Sequence, residues 1–280
     1  MSSDQILGYT TGPIPATAAF TSAFVMHASE YGGTLQSMLD GLELDRRVMM
    51  DHDPANMYIK YVPARISSSP SSIDTHLLTG GAYLFTTPAA CASFASWTTH
   101  TFRDPSTGVK FWDRPIFHHV RRWSWDVVGA HNLTLPARHA LSRVQHFSYD
   151  GDDSSLIDGP TAVRDALDAA FPALLNAARQ QRGAAAFWLL HSPDERLIAT
   201  HMVSERLEDG EEDVDAAVAR LEAMPSIGAE LLLPLLPVKC ESAFDRTSPF
   251  IQNWLPVSRA AGGVPQHTPN FPALPQVTVQ

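Results

Sequence analysis

Apolar and polar positions in the first half of the chain alternate at the spacings of strands and helices. Residues 18–27, rich in Phe, Thr and Val, predict a strand, and residues 34–49 place apolar side chains at helical spacing. The elements predicted after them are a strand over 57–62, a loop over 67–77, a strand over 82–86, a helix from Pro88 to about His100 and a strand over 114–128.

The second half of the chain repeats this order of elements. Its predicted elements are a strand over 143–149, a helix over 161–181, a hairpin of strands over 185–190 and 197–204, a helix over 211–224 and a strand within 231–243. Pro234 and Pro237 lack an amide donor, so we expect that last strand to lie at an edge or to bend. The Pro-rich segment 246–280 is expected to wrap the surface as an extended tail.

A residue-level match supports reading the chain as two copies. The strand that ends at His27 resembles the strand that contains His146, and the offset between the two histidines is 119 positions (146 minus 27). The same offset places Tyr83 opposite Met202 in the matching strand. We therefore predict two β-α-β-β-α-β repeats of the ferredoxin-like kind, at 18–132 and 140–245, in an α+β fold.

Two repeats in one chain solve a packing problem. A four-stranded sheet with both helices on one face leaves its other face bare, and an apolar face must be buried. We expect the two sheets to pack face to face as an intrachain dimeric α+β barrel, so that a monomer is complete, with a homodimer as the other possibility.

Composition narrows the choice of partners. The chain of 280 residues is 44% hydrophobic and 18% charged, as is typical of globular proteins, and its net charge of −10 argues against binding to nucleic acid or to an anionic membrane surface. We expect no membrane span, because no run of ~18 apolar residues occurs, and we expect a cytoplasmic protein, because the N-terminus lacks a signal sequence. Two cysteines do not make a disulfide framework.

One motif carries a family resemblance. The run from Gly80 to Phe85, Gly-Gly-Ala-Tyr-Leu-Phe, is followed by a helix that ends at His100. With the strand Met57-Tyr58-Ile59-Lys60-Tyr61, it resembles the small monooxygenases of the antibiotic-biosynthesis-monooxygenase superfamily, which are dimeric α+β barrels. The resemblance covers residues 18–130 well and 140–245 weakly, because the second half has Leu-Ile-Ala-Thr-His-Met where the motif would stand.

The resemblance implies a function of a general kind. Members of that superfamily include cofactor-independent oxygenases that act on aromatic or polyketide substrates, besides cyclases, isomerases and haem-handling proteins. We expect an enzyme, and favour a monooxygenase of secondary metabolism that needs no cofactor, uses molecular oxygen and acts on a small aromatic or polyketide-like substrate. A non-oxidative cyclase, isomerase or lyase and a non-catalytic binding module remain alternatives, and haem remains open.

The candidate site residues follow from that chemistry. A histidine near its ordinary pKa can act as the general base, and the candidates are His27, His100 and His118. A cation could stabilise an enolate, and aromatic side chains could line a cavity; the residues predicted to bind substrate are Lys60, Tyr83, Trp97, Trp112, Arg114 and Trp123.

The alternatives for these residues are structural. Each histidine could equally be a packed or solvent-exposed group, with His100 capping the helix that it ends, and the tryptophans could belong to the core. No His-Glu-x-x-His or Cys-x-x-Cys spacing occurs, so no metal site is predicted. Because most aromatic and histidine residues singled out lie in the first half, we expect the chemistry there.

Overall fold

The fold is built on strands that pair side by side along most of the chain. A computed structural model describes residues 11–31, 57–68, 75–104, 106–134, 140–149, 160–205, 214–223, 238–241, 246–248, 250–255 and 266–267, with Leu232 and Leu236. The strands are β1 Gly12–Pro13, β2 Ala18–His27, β3 Met57–Ser68, β4 Thr75–Phe85, β5 His118–Asn132, β6 Ala140–Tyr149, β7 Ala184–Ser192, β8 Leu197–Glu205, β9 Val238–Cys240, β10 Arg246–Ser248, β11 Phe250–Leu255 and β12 Gln266–His267.

Helices occupy three described stretches. They are α1 Pro88–Ser96, α2 Pro160–Gln180 and α3 Val214–Ala223, and a π-helical turn, Trp97–Thr101, continues α1. Pro88 stands in the first turn of α1, where its missing amide is tolerated, and the Thr87 hydroxyl accepts a hydrogen bond from the Ala90 amide at 3.2 Å. No helix among the described residues has the length and apolar character needed to cross a bilayer.

The strand order is the same in the two halves of the chain. In the first half the strands lie side by side as β5-β2-β4-β3, and in the second as β9-β6-β8-β7, with every neighbouring pair antiparallel. Each series is the fourth strand, the first, the third and the second of its half. β5 also pairs with β7, which joins the two series into one sheet. An α+β fold on an antiparallel sheet is therefore confirmed.

Several predicted boundaries differ from the observed ones. β3 extends to Ser68 and β4 begins at Thr75, so the serine-rich loop predicted over 67–77 is shorter than expected. β5 begins at His118 and not at residue 114, because a 3-10 turn at Phe111–Asp113 precedes it. The helix predicted over 34–49 lies outside the described residues, and the strand predicted within 231–243 is described as a strand only at β9.

Part of the expected C-terminal tail belongs to the sheet. β10 pairs with β6, and β11, which begins only two residues later, pairs with β3. The segment 246–255 thus lies along an edge strand of each half, which corrects the prediction that it wraps the surface. The prolines on either side of β11 are the reason why its apolar residues were not predicted to form a strand.

The strand pairing also corrects the register of the internal match. Tyr83 faces Phe20 across β4 and β2, and Met202 faces Arg143 across β8 and β6. Tyr83 and Met202 are 119 positions apart, but their partners are 123 apart (143 minus 20). A single offset therefore cannot align both strands, so the pairs His27/His146 and Tyr83/Met202 are not both equivalent positions.

Three large apolar clusters, besides a small one at Leu141, Ala217 and Leu221, divide the interior among the described residues. One lies between α1 and the first-half strands and contains Phe20, Tyr83, Phe85, Cys91 and Phe94. A second lies between α2 and the second-half strands. The third draws residues from both halves on the faces turned away from the helices, and it includes Ile59, Tyr61, Leu84, Trp123, Trp125, Trp188 and Val203. The bare faces of the two halves are thus buried together, as the packing argument requires.

The Gly80-Gly81 pair has a packing explanation. A Cβ at Gly80 would overlap the backbone carbonyl of Ser22 on the neighbouring strand, and a Cβ at Gly81 would overlap the Tyr83 ring. The Gly81 amide also donates to the Ser22 hydroxyl at 3.0 Å. The glycines therefore let β2 and the Tyr83 ring come close to β4, which makes the motif a feature of the fold and not of a reaction.

Gly80→Ala is expected to lower the free energy of unfolding by about 2–3 kcal/mol, because the obstructing atom is backbone and cannot rotate away. Urea denaturation followed by circular dichroism measures the change. Ser93→Ala, at an exposed position of α1, is the control and should stay within about 0.5 kcal/mol of the wild type. A Gly80→Ala variant as stable as that control would contradict the packing explanation.

Candidate functional site

A pocket of about 450 Å³ opens where the end of α1 meets β5 and the turn between β7 and β8. It is lined by Phe20, Ala95, Ser96, Thr99, His100, Arg122, Trp123, Ser124, Ser192, Asp194 and Glu195. The first eight residues belong to the first half of the chain and the last three to the second. The pocket is therefore a joint product of the two halves, whereas the sequence indicated the first half alone.

The π-helical turn after α1 presents His100. The Phe102 amide donates to the Trp97 carbonyl at 2.9 Å, five residues back, and this wide turn replaces the regular helical bond. The hydroxyls of Thr98 and Thr99 both donate to the Ala95 carbonyl, at 2.9 and 2.8 Å. The carbonyl that the wide turn would leave open is thus occupied, and the exposed side chain of His100 reaches the pocket.

Arg122 supplies a fixed positive charge beside this turn. Its Nη1 donates to the Thr99 hydroxyl at 2.8 Å, and its guanidinium lies 5.4 Å from the centre of the Trp112 ring. No local signal in the sequence distinguishes Arg122 from the neighbouring Arg121. Only the alternation along β5, with Trp123 on the opposite face, turns Arg122 toward α1.

The second half contributes the polar wall of the pocket. Ser192 is 4% exposed, and no hydrogen bond of its hydroxyl is found within the described part of the chain. Asp194 and Glu195 follow it in the turn, and neither belongs to any ion pair between described residues. Partial burial raises the pKa of Glu195, and the neighbouring charge of Asp194 raises it further.

The structure brings two of the predicted site residues together, since His100 and Trp123 both line the pocket. His27 and His118 meet elsewhere, where β2 ends and β5 begins, with ring centres 4.7 Å apart. There Nε2 of His118 lies 2.8 Å from each carboxylate oxygen of Glu30. The predicted histidines thus fall into two separate sites.

The other predicted substrate-binding residues do not line the pocket. Tyr83 is buried beneath α1, 4.6 Å from the Phe94 ring centre, and burial raises the pKa of its hydroxyl. Trp97 stacks on Phe102 at 4.8 Å. In the same aromatic region, Trp112 contacts Phe24, with ring centres 6.0 Å apart.

Arg114 is also placed away from the pocket lining. Arg114 is buried, pairs with Asp104 at 3.0 Å and lies over the Phe111 ring. Lys60 stands in β3 opposite Tyr83 of β4, and its side chain lies outside the described residues. The cation beside the pocket histidine is therefore Arg122, which sequence reasoning missed.

Two further histidines lie in the core between the sheets. The His146 ring centre is 4.8 Å from that of Trp123, and the His201 ring centre is 4.5 Å from that of Trp188. His201 is 1% exposed, and neither of its ring nitrogens has a hydrogen-bond partner within the described ranges. Burial, with a smaller contribution from His146, lowers the pKa of His201 to about 3, so this side chain is neutral at neutral pH.

The side chains that line the pocket show whether it could bind a metal ion or haem. No group of three or more metal-ligating side chains occurs among the described residues. Haem needs an axial ligand such as a histidine and an apolar environment for its faces. His100 could supply the ligand, but eight of the eleven lining residues are polar, and two of these are carboxylates that would repel the propionates. The pocket therefore fits haem poorly.

Comparison with known proteins yields structural similarities alone. No family model matches the chain, and no curated protein sequence matches it. A crystal structure described as a putative monooxygenase from Fusobacterium nucleatum subsp. nucleatum ATCC 25586 aligns over 85% of this chain and 95% of its own, with a TM-score of 0.45 and 8% identity. A second protein of that description, from Lactobacillus acidophilus NCFM, aligns over 80% and 92%, with a TM-score of 0.42 and 9% identity.

A third similar structure is described as a novel heme-binding protein from Thermus thermophilus. It aligns over 86% of this chain and 92% of its own, with a TM-score of 0.43 and 9% identity. At such TM-scores and identities these similarities carry no argument about the reaction. The function is therefore argued from the pocket.

Proposed function

We propose that the pocket is the active site of a cofactor-independent, monooxygenase-like enzyme acting on a small aromatic or polyketide-like substrate. The observation that carries the proposal is the meeting of His100, Arg122 and Phe20 in one pocket of about 450 Å³, a volume within the usual range for small-molecule sites. These residues supply a base, a cation and an aromatic surface, the three requirements of substrate deprotonation.

The residues divide the work as follows. The substrate ring packs against Phe20, the aromatic lining residue on the α1 side of the sheet, and His100 removes a proton from an acidic C–H or phenol. Arg122 stabilises the resulting enolate or phenolate, and its bond to Thr99 holds the guanidinium in place beforehand. This preorganised cation lowers the cost of forming the anion.

The oxygenation step balances without a cofactor. A substrate methylene group and one molecule of oxygen give a ketone and one molecule of water. The carbanion formed by His100 passes one electron to oxygen, the two radicals combine to a peroxide anion, and protonation from the imidazolium followed by loss of water leaves the ketone. The substrate is oxidised and one oxygen atom is reduced to water, so no external reductant is needed.

We also propose that the two halves are tandem copies closed into one barrel. The shared strand order supports the duplication, and the pairing of segment 246–255 with both β6 and β3 supports the closure. Since the pocket takes residues from both halves, a single chain then contains a whole active site, and no second copy is required.

His100→Gln is expected to lower kcat by about 10²-fold or more with little change in KM, because the variant removes the base and keeps the side-chain volume. Oxygen uptake with hydroxylated anthrones and phenols measures it. His118→Gln, at the separate Glu30 site, is the matched comparison and should keep kcat within about threefold. Loss of activity in His118→Gln but not in His100→Gln would show that the base lies at the Glu30 site and not in the pocket.

One observation favours the non-oxidative alternative. His100 is exposed and most of the lining is polar, so water can reach the base, whereas carbanion oxygenation benefits from a dry cavity. The same assay under nitrogen separates the two reactions. Product formation without oxygen would identify a cyclase, isomerase or lyase, and binding without turnover in either atmosphere would identify a binding module.

A further inference from the structure

The turn between β7 and β8 gives the pocket negative charge that has no role in the proposed oxygenation. Asp194 and Glu195 stand on this wall, opposite in sign to Arg122. Apart from His100, the charged side chains that line the pocket are two carboxylates and one guanidinium, which leaves one negative charge in excess.

The positive charge is already engaged and the negative charges are not. Arg122 is bound by the Thr99 hydroxyl and the Trp112 ring, and it makes no ion pair with either carboxylate in the described part of the protein. The carboxylates repel one another, and this repulsion contributes to the raised pKa of Glu195. A cation placed beside them would relieve that repulsion.

Ser192 gives a second and independent indication of a ligand. Its side chain is 4% exposed, it lines the pocket, and its hydroxyl forms no hydrogen bond within the described residues. This hydroxyl is open to a ligand, and an acceptor-rich wall that includes it suits a ligand group with several N–H donors. A protonated amine is such a group, and it also supplies the positive charge.

We propose that the substrate is an aromatic amine, whose ammonium group is bound by Ser192, Asp194 and Glu195 while its ring lies on Phe20. This inference deepens the proposed function, since it rests on the same pocket, and it assigns specificity to the second half of the chain. The acidic hydroxyl or C–H of the ring then lies toward His100, which lines the same pocket. Asp194 and Glu195 are specificity-determining residues that take no part in the proton transfer.

Three phenols of similar size test the assignment. Tyramine carries an ammonium group, 4-ethylphenol lacks it, and 3-(4-hydroxyphenyl)propionate replaces it with a carboxylate. Dissociation constants are measured by titration calorimetry or ligand-detected NMR at pH 7 and low salt. We expect tyramine to bind about 5- to 10-fold more tightly than 4-ethylphenol, since two exposed carboxylates act on it, and the propionate to bind most weakly.

The isosteric double variant Asp194→Asn/Glu195→Gln is the decisive comparison. Both residues are exposed in a turn, so the variant should fold, which circular dichroism verifies. We expect its preference for tyramine over 4-ethylphenol to fall to within about twofold, with 4-ethylphenol binding unchanged. A wild type without the preference, a double variant that keeps it, or no binding of any probe at millimolar concentration would overturn the assignment.

The His100→Gln variant separates this inference from the proposed reaction. Because His100 lies away from the carboxylates, its loss should leave the tyramine preference intact. A preference for tyramine without oxygen uptake by any phenolic amine would overturn the proposed oxygenase and support the amine site. Oxygen uptake with neutral phenols and no preference for the amine would support the oxygenase and overturn the amine site.

Discussion

A chain that ends at Asp245 is expected to self-associate and to lose much of its stability. It lacks β10 and β11, which face three residues of β6 and five residues of β3. Their removal leaves the backbone donors and acceptors of both strands unpaired along two edges, and such edges pair readily with other chains. We expect dimers or larger aggregates in light scattering and fast amide exchange along Met57–Ser68.

A chain that ends at Leu255 is the matched control for this truncation. It keeps β10 and β11 and loses β12, which pairs with β11 alone among the described strands. We expect it to keep the oligomeric state of the full chain, with β3 protected from exchange to the same extent. If the chain ending at Asp245 shows the same protection in β3 and β6, the pairing of segment 246–255 is not what closes the sheet.

Acid is expected to destabilise the protein through His201. Its folded-state pKa of about 3 lies below the ordinary value, so the stability contributed by neutral His201 is complete above about pH 6.5 and is lost as the pH falls toward 3. Each pH unit in that window costs up to about 1.4 kcal/mol. Between pH 6.5 and 4 we expect His201 alone to remove about 3 kcal/mol from the free energy of unfolding.

The variant His201→Leu isolates this contribution from that of the carboxylates. It removes the titrating group and leaves an apolar side chain among Trp188 and Tyr61, so the acid-dependent slope should flatten by about one proton. Urea denaturation at a series of pH values measures the slope. His100→Gln, at an exposed histidine, should keep the wild-type slope. Equal slopes in all three proteins would show that His201 is not the acid-sensitive group.

Most of the strands and helices were predictable because their signals are local. The period of two in β2, the Pro88 start of α1 and the helical spacing along α2 all follow from neighbouring residues. The ends of β3 and β4 beside the serine-rich loop were not predictable, because pairing between these two strands continues through residues of low strand propensity. Tertiary contacts decided those ends.

The candidate site was only partly predictable, for a geometric reason. Alternation along a strand separates its two faces but does not say which face meets a helix and which meets the other sheet. Tyr83 therefore lies beneath α1, while His146 and His201 lie in the core between the sheets. The pocket carboxylates come from a turn distant in sequence, and no local pattern links Asp194 to His100.

The place of Cys91 under α1 makes the helix observable in solution. This thiol is buried, and burial raises its pKa to about 12, whereas Cys240 is exposed. An alkylating reagent modifies only a thiolate that it can reach. Cys91 therefore reacts when α1 separates from the sheet, and Cys240 serves as the reference. The labelling rate of Cys91 therefore counts the openings of the helix whose last residues form one wall of the pocket.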